Sequence, residues 1–298
     1  MNQLSTEARS RIIRCLVEGN SIRATARLTG NCKKAITRLL CEIGDASLAY
    51  QDATLRSLPC QRIQCDEIWS FVGCKEQHLQ PDEQKKGRGD VWTWTAIDPD
   101  TKLMVCWHVG LREYPDAAMF MEDLASRMAN RIQLTTDGYR SYRPAVMEAF
   151  GHEVDYAIAV KVYGLPLDSG RIEARYSPSK CKEVTKIAVI GDPDPDHIST
   201  SHNERHNLTM RMQMRRFTRL TNGFSKKFQN HVAAVNLYMM HYNFSRVHQT
   251  LRCTPAMEAG VADHVWDVEE IVSLLDTRPN GGKKHEHHPA KSRCQWGA

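Results

Sequence analysis

The chain has no Cys-x-x-Cys pair among its ten cysteines, no long apolar run, and no acidic residue at all from Arg205 through Met257. The first lack argues against a compact four-ligand zinc site and leaves reduced thiols as the expected state. The second excludes a membrane-spanning helix, which needs roughly 20 apolar residues. The polar start Met1-Asn2-Gln3-Leu4-Ser5 carries no signal-peptide core either, so a cytoplasmic protein with no membrane partner is expected. The third leaves nine Lys or Arg between residues 205 and 257 without a local countercharge. Residues 1–43 are basic too, with eight Lys or Arg against Glu7, Glu18 and Glu42. Two basic stretches in a chain of net charge only +5 point to polyanion contact in two places, or to two solvated faces. With 298 residues, 41% of them hydrophobic, there is enough apolar material for one substantial core plus a small module.

Residues 1–46 read as a helical module. Ser5 or Thr6 can cap a helix whose apolar face is Ile12, Ile13, Leu16 and Val17, ending near Glu18-Gly19-Asn20. Ser21 can cap a short second helix, and Thr29-Gly30-Asn31 turns the chain into a third from about Cys32 to Ile43. Three short helices with a Gly-containing turn suggest a helix-turn-helix. In that arrangement Lys33, Lys34, Thr37 and Arg38 project toward a major groove; a bundle used only for dimerisation fits the same pattern.

The pattern loosens from Gly44 to Pro59, which places a linker at residues 47–61. Strand character follows at Arg62 to Gly73, Val91 to Ile97 and Lys102 to Val109, with Asp98-Pro99-Asp100-Thr101 as a turn. Pro115 and Asp116 open a helix through Met121, Leu124 and Met128; Arg131 to Thr136 is a strand, Tyr142 to Phe150 a helix and Val154 to Val162 a strand. This is the element order of an RNase H-like fold, an α/β domain with a mixed sheet flanked by helices, over residues 62–260. The Pro-rich stretch 163–200 reads as a loop insertion. Phe228, Val232, Val235, Met239 and Tyr242 recur at helical spacing and should pack on the sheet. Thr254-Pro255 is a good helix start. Residues 261–298 hold a last helix and a disordered basic tail, where Lys283-Lys284-His285-Glu286-His287-His288 is at most an adventitious metal binder.

Three segments carry chemistry. Asp66 lies in the strand Gln64-Cys65-Asp66-Glu67-Ile68-Trp69-Ser70-Phe71-Val72-Gly73, and Asp137 ends the strand Thr135-Thr136-Asp137-Gly138-Tyr139. Glu204 heads the basic run 201–223; at about 100° per residue it shares a stripe with Leu208, Arg211 and Arg215, while Met210, Met214 and Phe217 share another. These segments resemble the Asp-Glu-x-Trp-Ser-Phe-Val-Gly, Thr-Asp-x and Glu-Arg-x-Asn-Leu-Thr-x-Arg motifs of DDE transposases of the insertion sequence 1 family, and the resemblance spans roughly residues 63–272. It implies that Asp66, Asp137 and Glu204 are the catalytic, metal-binding carboxylates of an RNase H-like nuclease. Three converging carboxylates repel one another unless a cation neutralises them, and hard oxygen ligands favour Mg2+, with Mn2+ able to substitute. Arg205, Arg211, Arg215 and Arg219 are expected on DNA phosphates. Glu67 is expected to support the fold or orient a neighbour.

Each carboxylate also has a plainer reading. Asp66 and Asp137 can be polar strand ends, and Ser201-His202-Asn203-Glu204 fits a capping box. Glu173 in Arg171-Ile172-Glu173-Ala174-Arg175 is a rival third carboxylate, set in a loop-rich stretch. The chain departs from the family in lacking a cysteine-rich zinc motif and in placing Asn203 where an apolar residue is usual before the Glu. The expected function is binding of the inverted-repeat ends of an insertion element, followed by metal-dependent strand cleavage and transfer into target DNA. A homodimer or larger assembly associated with the nucleoid is expected. The alternatives are a structure-specific nuclease of the same fold and a DNA-binding regulator with an inactive catalytic domain.

Overall fold

A computed structural model describes residues 4–80, 82, 87–163, 181–218 and 222–276. Its centre is a six-stranded mixed sheet built from β1 (Arg62–Val72), β2 (Gly89–Ile97), β3 (Met104–Gly110), β4 (Ile132–Thr136), β5 (Val154–Tyr163) and β6 (Cys181–Ile190), in the order β3-β2-β1-β4-β5-β6. The first three strands form an antiparallel meander. Its second turn is closed by Asp98, whose carboxylate accepts from the Asp100 N–H at 2.8 Å and the Thr101 hydroxyl at 2.9 Å, as an Asx-turn requires. β4 then pairs parallel to β1, β5 parallel to β4, and β6 antiparallel to β5.

Side chains alternate along β1, and the two faces meet different helices. Cys65 joins the core that holds Phe120, Met121 and Leu124 of α4 (Tyr114–Arg127) and Tyr142, Ala145 and Val146 of α5 (Tyr142–Phe150). Ile68, one of the residues of opposite parity, packs with Met210 of α6 (Ser201–Gln213) and Val235 and Met239 of α7 (Phe228–Met240). Trp94, Phe120 and Tyr142 are fully buried, each contributing about 1.5–3 kcal/mol on an area basis. A sheet of this order with helices on both faces is compatible with an RNase H-like fold. Among the described residues no helix is long and apolar enough to cross a membrane.

The first three helices form as their caps dictate. Ser5 and Ser21 accept hydrogen bonds from the Ala8 and Ala24 N–H groups at the starts of α1 (Thr6–Val17) and α2 (Ile22–Thr29). Gly30, left-handed at φ 72°, ends α2. The third helix differs from expectation: α3 runs Lys33–Thr54, so most of the segment expected to be a connector is helical. Gly44 does not break it, because it faces α7 rather than solvent. A Cβ there would lie 2.5 Å from the Ala233 carbonyl oxygen, and glycine is what lets the two helices approach. Ile12, Ile13, Ile36, Leu40 and Ile43 belong to the same core as the α4/α5 face of the sheet.

Two further differences concern the second half. Within the stretch expected to be loop, residues 181–190 form β6, an edge strand exposed on both sides over most of its length. The basic run expected as one helix breaks at Met214, and Arg215–Phe217 form a separate 3-10 turn. Met210, Met214 and Phe217 are nonetheless buried together, as their spacing predicts. α7 continues into a π-helical turn at His241–Ser245, followed by α8 (Pro255–Glu258), capped by Thr254, and α9 (Val268–Ser273), which carries an Asp267/Glu270 capping box. Arg14 on α1 donates to both carboxylate oxygens of Glu269 at 2.8 Å, and Arg9 pairs with Asp276, so part of the N-terminal positive charge is spent inside the protein. The expected disordered tail, from residue 277, lies outside the described residues.

Candidate metal centre

Asp66 and Asp137 are brought together by strand pairing. The parallel register sets Arg62 opposite Gln133 and Gln64 opposite Thr135; continued by two residues, it sets Asp66 level with Asp137, which directly follows β4. Glu67 is also close: one ligand oxygen from each of Asp66, Glu67 and Asp137 lies within 4.8 Å of the others, a group that could hold a metal ion. All three are hard oxygen donors, Glu67 buried and the two aspartates half-buried, the set that suits Mg2+ or Mn2+.

Their electrostatics are those of like charges partly withdrawn from solvent. Burial above all, then the neighbouring charges of Glu67 and Asp137, push the Asp66 carboxyl up to about 8. Asp137 is raised by burial and by Glu204, against the pull of the Tyr139 N–H and Arg112. A cation would relieve both. Asp66 is fixed by hydrogen bonds from the Glu67 N–H at 2.9 Å to Oδ1 and from Asn207 Nδ2 at 2.8 Å to Oδ2.

Glu67 is held differently. Arg112 donates to Oε1 at 2.6 Å and the Tyr142 hydroxyl donates to Oε2 at 2.9 Å. Arg112 in turn stacks between Trp92 and Tyr139, with its guanidinium carbon 4.6 and 4.2 Å from the ring centres. Burial and Asp137 still raise the Glu67 carboxyl against these partners.

Glu204 sits one helical step into α6, near enough for its charge to raise both aspartates. It is not among the three grouped carboxylates. Its side chain instead accepts from Lys161 Nζ of β5 and from the Thr200 hydroxyl at 2.8 Å. The capping box does not form: Thr200, not Ser201, is the residue before the first helical one, and it makes no side-chain cap. Asn203 is accommodated under α6 by hydrogen bonds to β1 and β2. Glu173 lies outside the described residues.

The expected DNA-contacting residues are mostly at the surface. Lys33, Lys34, Arg205, Arg211 and Arg215 are exposed; Thr37 donates back to the Lys33 carbonyl at 2.9 Å, and Arg38 pairs with Glu42 at 2.8 Å. Arg215, on its own turn, does not continue the α6 stripe that carries Glu204 and Arg211. Arg219 lies outside the described residues. Sequence reading gave no role to Lys161 or Arg112, and took in Asn207 only as the Asn of the Glu-Arg-x-Asn-Leu-Thr-x-Arg motif. Lys161 carried a signal, the charge near the end of the otherwise apolar run Ala157-Ile158-Ala159-Val160-Lys161-Val162.

No family model and no curated protein matches the chain. Among solved structures, the chain is similar to a piggyBac transposase in a synaptic complex with hairpin DNA, at a TM-score of 0.43 and 9% identity over 92% of this chain and 71% of that one. The insertion sequence 1 family in particular gains no support from these comparisons.

Proposed function

We propose that the chain is a metal-dependent DDE transposase that cuts and joins DNA at the ends of its own element, of the kind the insertion sequence 1 motifs describe. The observation that carries this reading is the pair Asp66 and Asp137, brought level by the parallel pairing of β1 and β4 and both raised in pKa by burial, with the charge of Glu204 on α6 near enough to add to the shift. In this reading Asp66, Asp137 and Glu204 hold Mg2+, or Mn2+ in its place. When bound, the ion activates a water or a 3′-hydroxyl oxygen and stabilises the oxygen that leaves phosphorus. To hold the ion, Glu204 would have to give up its pairing with Lys161. Arg205, Arg211, Arg215 and Arg219 bind phosphates, and the α2–α3 turn presents Lys33, Lys34, Thr37 and Arg38 to base edges as a helix-turn-helix. Bringing two ends together requires a homodimer or larger assembly on the nucleoid.

The test is nicking of end DNA by folded Asp66→Asn, Asp137→Asn and Glu204→Gln proteins with Mg2+ and with Mn2+. Loss in all three, with binding retained, is expected. Joining of the cut 3′-end separates a transposase from a nuclease, and absence of nicking in the wild type leaves the regulator. A folded Asp66→Asn protein that still nicks at the wild-type rate sinks the reading. Because α1 and α3 supply core residues, end recognition is tested by Lys33→Ala and Lys34→Ala in gel shifts against scrambled DNA, not by deleting the module.

A further inference from the structure

Two asparagines stand one turn apart on α6, and both are buried, Asn203 at 0% and Asn207 at 3% exposure. Asn203 is fully engaged. Its Nδ2 donates to the Gln64 carbonyl at 2.9 Å and the Thr95 carbonyl at 2.8 Å, and its Oδ1 accepts from the Thr95 hydroxyl at 2.8 Å. That clamp sets α6 across β1 and β2 and fixes where the next turn falls. Asn207 is engaged on one side only: Nδ2 donates to Asp66 Oδ2 at 2.8 Å, while Oδ1, sealed from solvent, has no donor. A buried carbonyl oxygen normally finds a partner, since it has given up water and gains nothing in return, and the exceptions mark a functional role or an ion.

We propose that Asn207 is a further ligand of the metal centre, supplying a neutral oxygen to the divalent cation held by Asp66. The inference rests on the metal-binding reading of Asp66 and Asp137. Nδ2 now stands against Asp66 where a cation would stand. Turning the amide over exchanges donor for acceptor and offers Oδ1 to that cation, and Oδ1 forfeits no hydrogen bond by moving. Amide oxygens are ordinary ligands of hard divalent ions. A neutral one adds coordination beside carboxylates whose mutual repulsion is already unrelieved, where another carboxylate would add to it. Asn207 also lies three residues beyond Glu204, on the same side of the helix, so one turn of α6 serves the site twice.

The experiment is a calorimetric titration of the full chain with Mn2+ alone, without DNA, on the wild type, Asn207→Leu, Asn207→Asp and Asp66→Asn. Asn207→Leu keeps the branched shape and removes the oxygen; it should bind Mn2+ about 10–100-fold more weakly. Asn207→Asp, which keeps an oxygen, should bind at least as tightly as the wild type, and Asp66→Asn should lose binding. Wild-type affinity in Asn207→Leu, with binding lost in Asp66→Asn, overturns the role of Asn207 and leaves the metal centre standing. Wild-type affinity in Asp66→Asn overturns both. Should Asn207→Leu fail to fold, Asn207→Asp decides through its melting temperature. As a ligand variant it is raised by Mn2+ at least as much as the wild type is, and a smaller rise overturns the proposal.

Discussion

Asp66 and Glu67 are consecutive residues of one strand, and the two faces of the sheet treat them in opposite ways. On the α4/α5 side Glu67 meets a guanidinium and a phenol, with the guanidinium itself clasped between two aromatic rings. On the α6/α7 side Asp66 takes its hydrogen bonds from a backbone N–H and an amide, both uncharged. A carboxylate given its own cation is part of the wall; one given only neutral donors keeps its appetite for an external charge. Proximity alone groups Asp66, Glu67 and Asp137, and their partners divide them.

The sharpest way to break this contrast is to neutralise each side in turn. Asp66→Asn should lower Mg2+-dependent nicking by about 1,000-fold or more while the protein stays folded. Glu67→Gln should keep most of the activity and lose stability instead, by about 1–3 kcal/mol in urea unfolding, because it leaves Arg112 without its partner. A folded Glu67→Gln protein as inactive as Asp66→Asn would make Glu67 a ligand and erase the distinction.

Acid should expose the α6/α7 side next. His231, on α7, is fully buried beside the Ser70 hydroxyl at 3.2 Å, and burial with Arg216 lowers it from 6.5 to about 3. The folded state therefore holds it neutral while the unfolded chain takes up a proton. Its contribution to stability is complete above 6.5 and is lost as pH falls toward about 3. The expected loss is at most about 1.4 kcal/mol for each pH unit in that window. Urea unfolding at a series of pH values should show a shallower acid slope in His231→Gln; an unchanged slope would place the acid sensitivity elsewhere.

A smaller effect is expected at Lys161, which neutralises Glu204 before any ion arrives. Lys161→Met should tighten Mn2+ binding roughly 2–5-fold, under about 1 kcal/mol, since the pair is partly solvated. Weaker binding in that variant would show that Lys161 positions Glu204 rather than competes for it. The smallest expected change is at Arg211: Arg211→Gln should flatten the slope of log K against log salt by about one unit in fluorescence anisotropy, equally on end and scrambled DNA. A slope that does not move would take Arg211 off the phosphates.

Much of the architecture was legible because strand and helix periods are local. β1, α4, β4 and α5 begin and end within about two residues of where alternation, proline and turn signals place them. What was not legible depended on distant contacts. Gly44 reads as a breaker until Ala233 is seen against it. β6 reads as loop because prolines surround it and its apolar residues, Val184 and Ile187 among them, fall on opposite faces of an exposed edge. The break in the basic run at Met214 leaves no mark in the spacing of Met210, Met214 and Phe217. At the site, Asp66 and Asp137 could be named as strand residues, whereas the charged or phenolic partners of Glu67 and Glu204 come from residues 112, 142 and 161, more than 40 positions away, which no local pattern links to them.

The parallel alignment of β1 with β4 also sets a rule for how such a chain can vary in length. Between Val72 and Ile132 residues can be gained or lost in the connections without moving Asp137, because hydrogen bonding to β1 resets its position when β4 docks. One residue added inside β4 has no such remedy. It either shifts the aspartate a full step along the sheet or turns it to the opposite face, toward the rings that clasp Arg112. Lineages descended from this chain should therefore scatter their insertions and deletions outside residues 132–137 and tolerate almost none within them.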